Sequence, residues 1–297
     1  MEMNLDFSEK KVQAISLDAL RMTITEKYPN GNPVGGIYHY QLIDQLLSWL
    51  KDVGYEAEVT DLFAANNRDK YRPGVTFDPV AADKFGDNDP RAYMLRRVYC
   101  NLLLRSHDDE GLTSCCAVSY SQRGISVAFG AHVRYCRNLS LLSAERVFSN
   151  YGMAVRMREE NLQLNTEKCL DQVCAYIMTE KDIHGGIIGQ TRGMSQEQFT
   201  DRDFQELLEM LMRARICHDS SDKVIHVSDE YALNSSQINA ACARYYVARK
   251  ERTEGMTFWQ ALQLFNQDLK PDLTDQPMII PQSAQLGSMF MNLLERK

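Results

Sequence analysis

The sequence predicts an α+β protein, with an antiparallel β-meander sheet packed with a helical C-terminal half. Three observations predict this class. Period-two alternation of apolar and polar residues runs through 97–136 and is broken by short turn signals. Helical periodicity takes over after residue 160. Strands come first and helices follow, instead of alternating, which argues against a doubly wound parallel sheet. The chain has 297 residues, 44% hydrophobic and 25% charged, enough for a sizeable core. Residues 1–160 are expected to form a mixed α/β region carrying the sheet. Residues 161–297 are expected to form a helical region packed on it as one globular unit.

The elements follow in chain order. Residues 1–28 read as a strand-containing entry segment, and "YPNGNPVGG" (28–36) is a turn-rich loop. In the next segment Tyr38, Leu42, Leu46, Leu47 and Leu50 recur at helical spacing, and Gly54 suits the stop. "YEAEVTDLF" reads as a strand, and 66–92, rich in Pro, Asp and Asn, as a surface excursion. Residues 97–105, 112–120 and 124–136 are predicted to be adjacent antiparallel strands, with Val98, Leu102, Leu104, Val127, Phe129 and Val133 buried. Such a sheet needs only one buried face. Beyond 160, a helix is expected to start at the N-cap Thr166. "HGGIIGQTRG" (184–193) reads as a glycine-rich loop. A helix follows with Phe204, Leu207, Leu208, Leu211 and Met212 as its apolar repeat, and three more helices are predicted within 234–252, 256–270 and 281–297.

Composition narrows the function classes. The net charge of −7 and pI near 5.5 exclude a generally basic nucleic-acid coat, though not a local patch. Eight cysteines make no C-x-x-C pair, which suits reduced, mostly buried thiols in a cytosolic protein. No apolar run approaches a membrane span, so no membrane association is expected.

The motif search yields no catalytic residue, metal ligand set or cofactor fingerprint. "HDDE" (107–110) holds metal-capable groups, but four consecutive residues cannot converge on one ion. A metal-dependent hydrolase built on that turn is therefore the weakest reading. The loops "NGNPVGG" and "HGGIIGQTRG" lack the GK[ST] of a phosphate-binding P-loop. Cys115 and Cys116 are adjacent on a strand, so they point to opposite faces. Cys169 and Cys174 diverge by about 140° around a helix. Phe258 and Trp259 sit at helical spacing with Leu262 and Phe265, which favours a core over a base-stacking role.

Charge distribution is more informative. Segment 91–158 holds ten arginines, no lysine and four acids, a net +6, which leaves −13 for the rest of the chain. Extending it to Glu160 still leaves +4. Arginine suits phosphate because its planar fork donates two parallel hydrogen bonds and its face stacks on bases. Alternation places Arg97, Tyr99, Asn101, Arg105, His132 and Arg134 on the sheet face opposite the core. A basic, aromatic-bearing sheet face is one way to hold a single strand. The competing reading pairs these arginines with the acidic helical half.

The stretch "LLLRSHDDEGLTSCCAVSYSQRGISVAFGAHVRYCRN" resembles the phage/plasmid-like proteins of unknown function found in bacterial viruses and mobile elements, including the Bacteroides type. Ser106, His107 and Asp108 match a Ser-His-Asp turn, and Cys136, Arg137 and Asn138 match a strand ending in Cys-x-Asn. Trp259, Asn266 and Pro281 match a late Trp/Asn helix and a proline-led final helix, so the resemblance spans 37–297. "RYCRN" departs from the pattern in its arginines. The resemblance implies a bacterial host cytoplasm and a role in DNA metabolism, and it carries over no catalytic residue. The leading expectation is a non-enzymatic accessory protein that binds single-stranded nucleic acid on the basic sheet face. The alternative is a protein-interaction or inhibitory module, with another protein or a second copy as partner.

Overall fold

Alternation builds the sheet, and the helices cover it. The computed structural model describes residues 12–21, 33, 36–65, 97–105, 112–121, 124–133, 138–142, 146–149, 159–214, 216–218, 224–227, 232–252, 254–269 and 279–297. Its strands are β1 (Val12–Ala14), β2 (Glu56–Ala65), β3 (Arg97–Arg105), β4 (Leu112–Ser121), β5 (Gly124–Val133), β6 (Asn138–Ser140) and β7 (Val147–Ser149). They form one sheet in the order β1-β2-β3-β4-β5-β6, with β7 also paired to β5. β8 (Ile216–His218) and β9 (Val224–Val227) make a separate antiparallel ribbon. The helices are α1 (Leu17–Arg21), α2 (His39–Asp52), α3 (Glu159–Thr179), α4 (Ile183–Gln196), α5 (Asp201–Arg213), α6 (Ser235–Glu251), α7 (Phe258–Asn266) and α8 (Ile279–Leu294). The α+β class, its antiparallel sheet and its helical C-terminal half stand as predicted.

The chain divides into two compact units, each assembled from separate segments: Met1–Leu102, Ala117–Val127 and Phe148–Thr179 in one, Leu103–Cys116, Ala128–Val147 and Glu180–Lys297 in the other. In the first unit α2 buries Leu42, Leu46 and Leu50, the residues its periodicity singles out. The helix ends where Gly54 takes φ +91°, a conformation that costs glycine little. His39, its first residue, is buried edge-on to Tyr120 with ring centroids 5.7 Å apart. α1 docks on α2 through Arg21–Asp44, 2.7 Å.

In the second unit α7 is the central helix, with Phe258, Ala261, Leu262 and Phe265 fully buried. Around it Phe199 meets Phe258 edge-on at 5.1 Å, and Phe204 stacks on Tyr245 at 4.0 Å. Such pairs stabilise beyond their buried area. α8 approaches the chain after β6 so closely that a Cβ on Gly287 would lie 1.7 Å from the Leu141 carbonyl oxygen. Thr200, Asn234 and Thr257 each close a capping box, which starts α5, α6 and α7 where they start.

The structure changes four expectations. The sheet is buried on both faces, not one: residues 98–102, 113–120 and 124–132 are buried without a break. Its polar positions allow this because their hydrogen bonds close internally, as in Thr113 Oγ1 to the Leu104 carbonyl (3.2 Å) and Ser126 with Ser149 (2.6 Å). Second, 184–193 is helix α4, not a loop. Four glycines are tolerated there because Ile183, Ile187, Ile188, Thr191 and Met194 bury the opposite face. Third, Thr166 lies inside α3, buried against Gly36, instead of starting a helix. Fourth, Met212 is 48% exposed and leaves the apolar repeat of α5. The buried set Val98, Leu102, Leu104, Val127 and Phe129 matches prediction, while the side chain of Val133 lies outside the described residues. So do 66–92, the "HDDE" turn and residues 134–137.

Candidate nucleic-acid interface

Tyr99 and Asn101 lie two apart on β3 and so share a face. Neither presents that face to solvent, with exposures of 8% and 0%. The Tyr99 hydroxyl donates to Asn101 Oδ1 at 3.1 Å, and Asn101 Nδ2 donates to Asp61 Oδ2 at 3.4 Å. Thr60 Oγ1 donates to the Asn101 carbonyl on the same neighbouring strand. Asp61 takes φ +47°, which breaks the regular course of β2 where it meets Asn101. His132 pairs with Leu139 across β5 and β6 and is 4% exposed. Three of the six predicted contacts are therefore built into the interior, and an open stacking platform at Tyr99 is corrected. Arg97 and Arg105 occupy the two ends of β3, with side chains outside the described residues, as is all of Arg134.

One of the ten arginines of segment 91–158 has a described side chain. Arg146 Nη1 donates to Gln190 Oε1 of α4 at 2.8 Å. The guanidinium lies across α4 at Gly186, where a Cβ would come within 3.0 Å of Nη2. A Cβ there would make the guanidinium give by a few tenths of an ångström. Its partner there is a neutral amide, and no carboxylate cancels its charge among the described residues.

Sequence reasoning missed a second polar contact on α4. His184 Nδ1 lies 2.9 Å from Ser114 Oγ. Such a pair could activate a serine only if substrate could reach it, and Ser114 is fully buried. The pair instead satisfies a buried hydroxyl and ties α4 to β4. Its signal in the sequence was weak: one of three serines on a strand and a histidine beside two glycines. The cysteines on the sheet are equally withdrawn, and burial pushes the Cys100 thiol far above its ordinary range. Among the described residues, no three His, Cys, Asp or Glu side chains gather to hold a metal ion, and no helix is long and apolar enough to cross a membrane.

α6 is the helix whose outer face combines bulk and positive charge. Tyr246 and Val247 are each 57% exposed, and Arg249, Lys250 and Arg252 follow at its C-terminal end. Arg249 is held by Asp201 at 2.5 Å, and Arg244 Nε donates to the Leu264 carbonyl. On α5 the exposed face carries Asp201, Arg202, Gln205, Glu209, Met212 and Arg213, with Arg202–Glu206 and Arg213–Glu209 paired along it. That face is nearly neutralised by its own ion pairs and offers a polyanion little. No family model, no curated protein and no solved structure matches the chain.

Proposed function

We propose that this is a nucleic-acid-binding accessory protein that engages single strands through the arginine-rich segment 91–158. The observation that carries the reading is Arg146. The competing account has these arginines neutralised by the acidic remainder of the chain, yet the one whose side chain is described meets the amide of Gln190 and, among the described residues, no carboxylate. Burial of Tyr99, Asn101 and His132 withdraws them as contacts and leaves Arg97, Arg105 and Arg134 as the candidates among the six. Arginines would grip phosphate, so binding would be salt-dependent and weakly sequence-selective. The resemblance around Ser106–Asp108 and Cys136–Asn138 supports an accessory role in a bacterial virus or mobile element.

A protein-interaction module is the second reading. The burial that removes the sheet's stacking platform favours it, since among the described residues the exposed large apolar side chains Leu164, Met178, Met212, Tyr246 and Val247 all lie on helices. One experiment separates the two. Fluorescence anisotropy with a labelled 20-nucleotide oligo-dT at low salt should show binding that weakens as salt rises. Replacing Arg97, Arg105 and Arg134 together by alanine should lower both the affinity and the salt slope. A folded protein that binds neither single strand nor duplex at low salt moves the assignment to the interaction module.

A further inference from the structure

We infer that the outer face of α6 is a further contact surface for single-stranded nucleic acid, an inference that rests on the nucleic-acid reading above. Ser236, Asn239, Ala243, Tyr246 and Lys250 are all exposed. They follow one another at spacings of three and four, which aligns them in one stripe along about 21 Å of helix. The stripe carries no carboxylate, on a chain whose net charge is −7. Its acidic neighbours are accounted for. Asp201 is engaged by Arg249 and by the Tyr245 hydroxyl at 3.1 Å. Glu251 lies a further 100° round the helix from Lys250.

The charge at the end of the stripe is unspent. Lys250 has no carboxylate partner among the described residues. Tyr246 packs T-shaped against the rings of Phe204, at 5.5 Å, and Tyr245, at 5.8 Å, while more than half of the residue stays in solvent. An exposed tyrosine followed one turn later by a lysine can stack on a base and meet the adjoining phosphate. The polar, uncharged Ser236 and Asn239 at the other end supply hydrogen bonds to sugar or base edges without repelling phosphate. An acidic peptide would want several cations and an apolar groove, whereas this stripe has one lysine, one ring and small polar residues. The charge pattern therefore favours a nucleic-acid strand.

The test uses the full chain, labelled oligo-dT, and far-UV circular dichroism to confirm folding of each variant. Tyr246→Ala should weaken binding at least fivefold, and Tyr246→Phe should restore it, because stacking needs the ring and not the hydroxyl. Lys250→Ala should lower the salt slope by about 0.7, the value of one phosphate contact on a single strand. If these variants bind as the wild type does while the Arg97/Arg105/Arg134 variant loses affinity, the α6 surface is wrong and the nucleic-acid function stands. If the wild type binds no nucleic acid, both fail. If Tyr246→Ala instead turns a dimer into a monomer in light scattering, the occupant is a second copy and the inference is overturned.

Discussion

At the scale of single residues, burial decides which polar groups can act. His39 shows it through pH. Burial, opposed by a hydrogen bond with the Leu20 backbone, lowers its pKa from the usual 6.5 to about 4. Between those values the unfolded chain binds a proton that the folded chain refuses, so stability falls as the pH drops. Urea denaturation should show a loss of about 2 kcal/mol from this group between pH 7 and pH 5. His39→Phe should flatten that part of the curve, and an unchanged slope would show that another group is responsible. Lys297 acts at the opposite charge. It pairs with Asp203 at 3.1 Å, donates to the Gln198 carbonyl and sits 4.7 Å from the Phe258 ring centre. Desolvation would raise the Asp203 pKa, but hydrogen bonds from Thr200 and Lys297 outweigh it and hold the carboxyl below its usual range. Lys297→Ala should cost about 1–2 kcal/mol in denaturation, with most of the difference disappearing once Asp203 is protonated.

At the scale of elements, α4 and α8 both carry glycine, for different reasons. A Cβ on Gly189 or Gly193 would meet nothing within 4 Å. Each glycine there weakens the helix through backbone entropy alone. Gly189→Ala and Gly193→Ala should each raise stability by about 0.5–1 kcal/mol, as thermal denaturation would show. Gly287 is the reverse case. The Leu141 carbonyl occupies the space a side chain would need, so Gly287→Ala should destabilise by several kcal/mol or prevent folding. Equal effects at the two helices would mean that propensity, and not packing, controls α8. Periodicity made α2, α5 and α7 legible, because an amphipathic helix writes its buried stripe at spacings of three and four. The sequence of α4 reads as a loop because local glycine content outweighs its isoleucines. What holds it helical is the burial of Ile183, Ile187, Ile188 and Met194, a contribution that no short window contains.

At the scale of the whole molecule, burial should also govern the thiols. Cys100, Cys115, Cys116 and Cys169 are buried, while Cys174 and Cys242 are part-exposed. Alkylation of the native protein followed by mass spectrometry should modify Cys174 and Cys242 well before those four, which should react only on unfolding. Early labelling of Cys115 or Cys116 would mean that the sheet opens more readily than its burial implies.

By itself, the sequence determined the α+β class, the three central strands and most of their apolar set, because side chains alternate along a strand whatever lies beyond it. It also determined the charge asymmetry between 91–158 and the rest. It could not determine that the second sheet face is covered. Tyr99, Asn101, His132 and Ser114 look alike in a sequence whether they face water or a satisfied interior. Only tertiary structure supplies Asp61 beside Asn101 and His184 beside Ser114, from 40 and 70 residues away in the chain. It also decided that α6, whose buried residues are confined to Ile238, Ala241 and Tyr245, leaves Tyr246 and Lys250 outside. Solvent reaches whatever the neighbouring helices do not cover, and which helices become neighbours is a long-range result of packing.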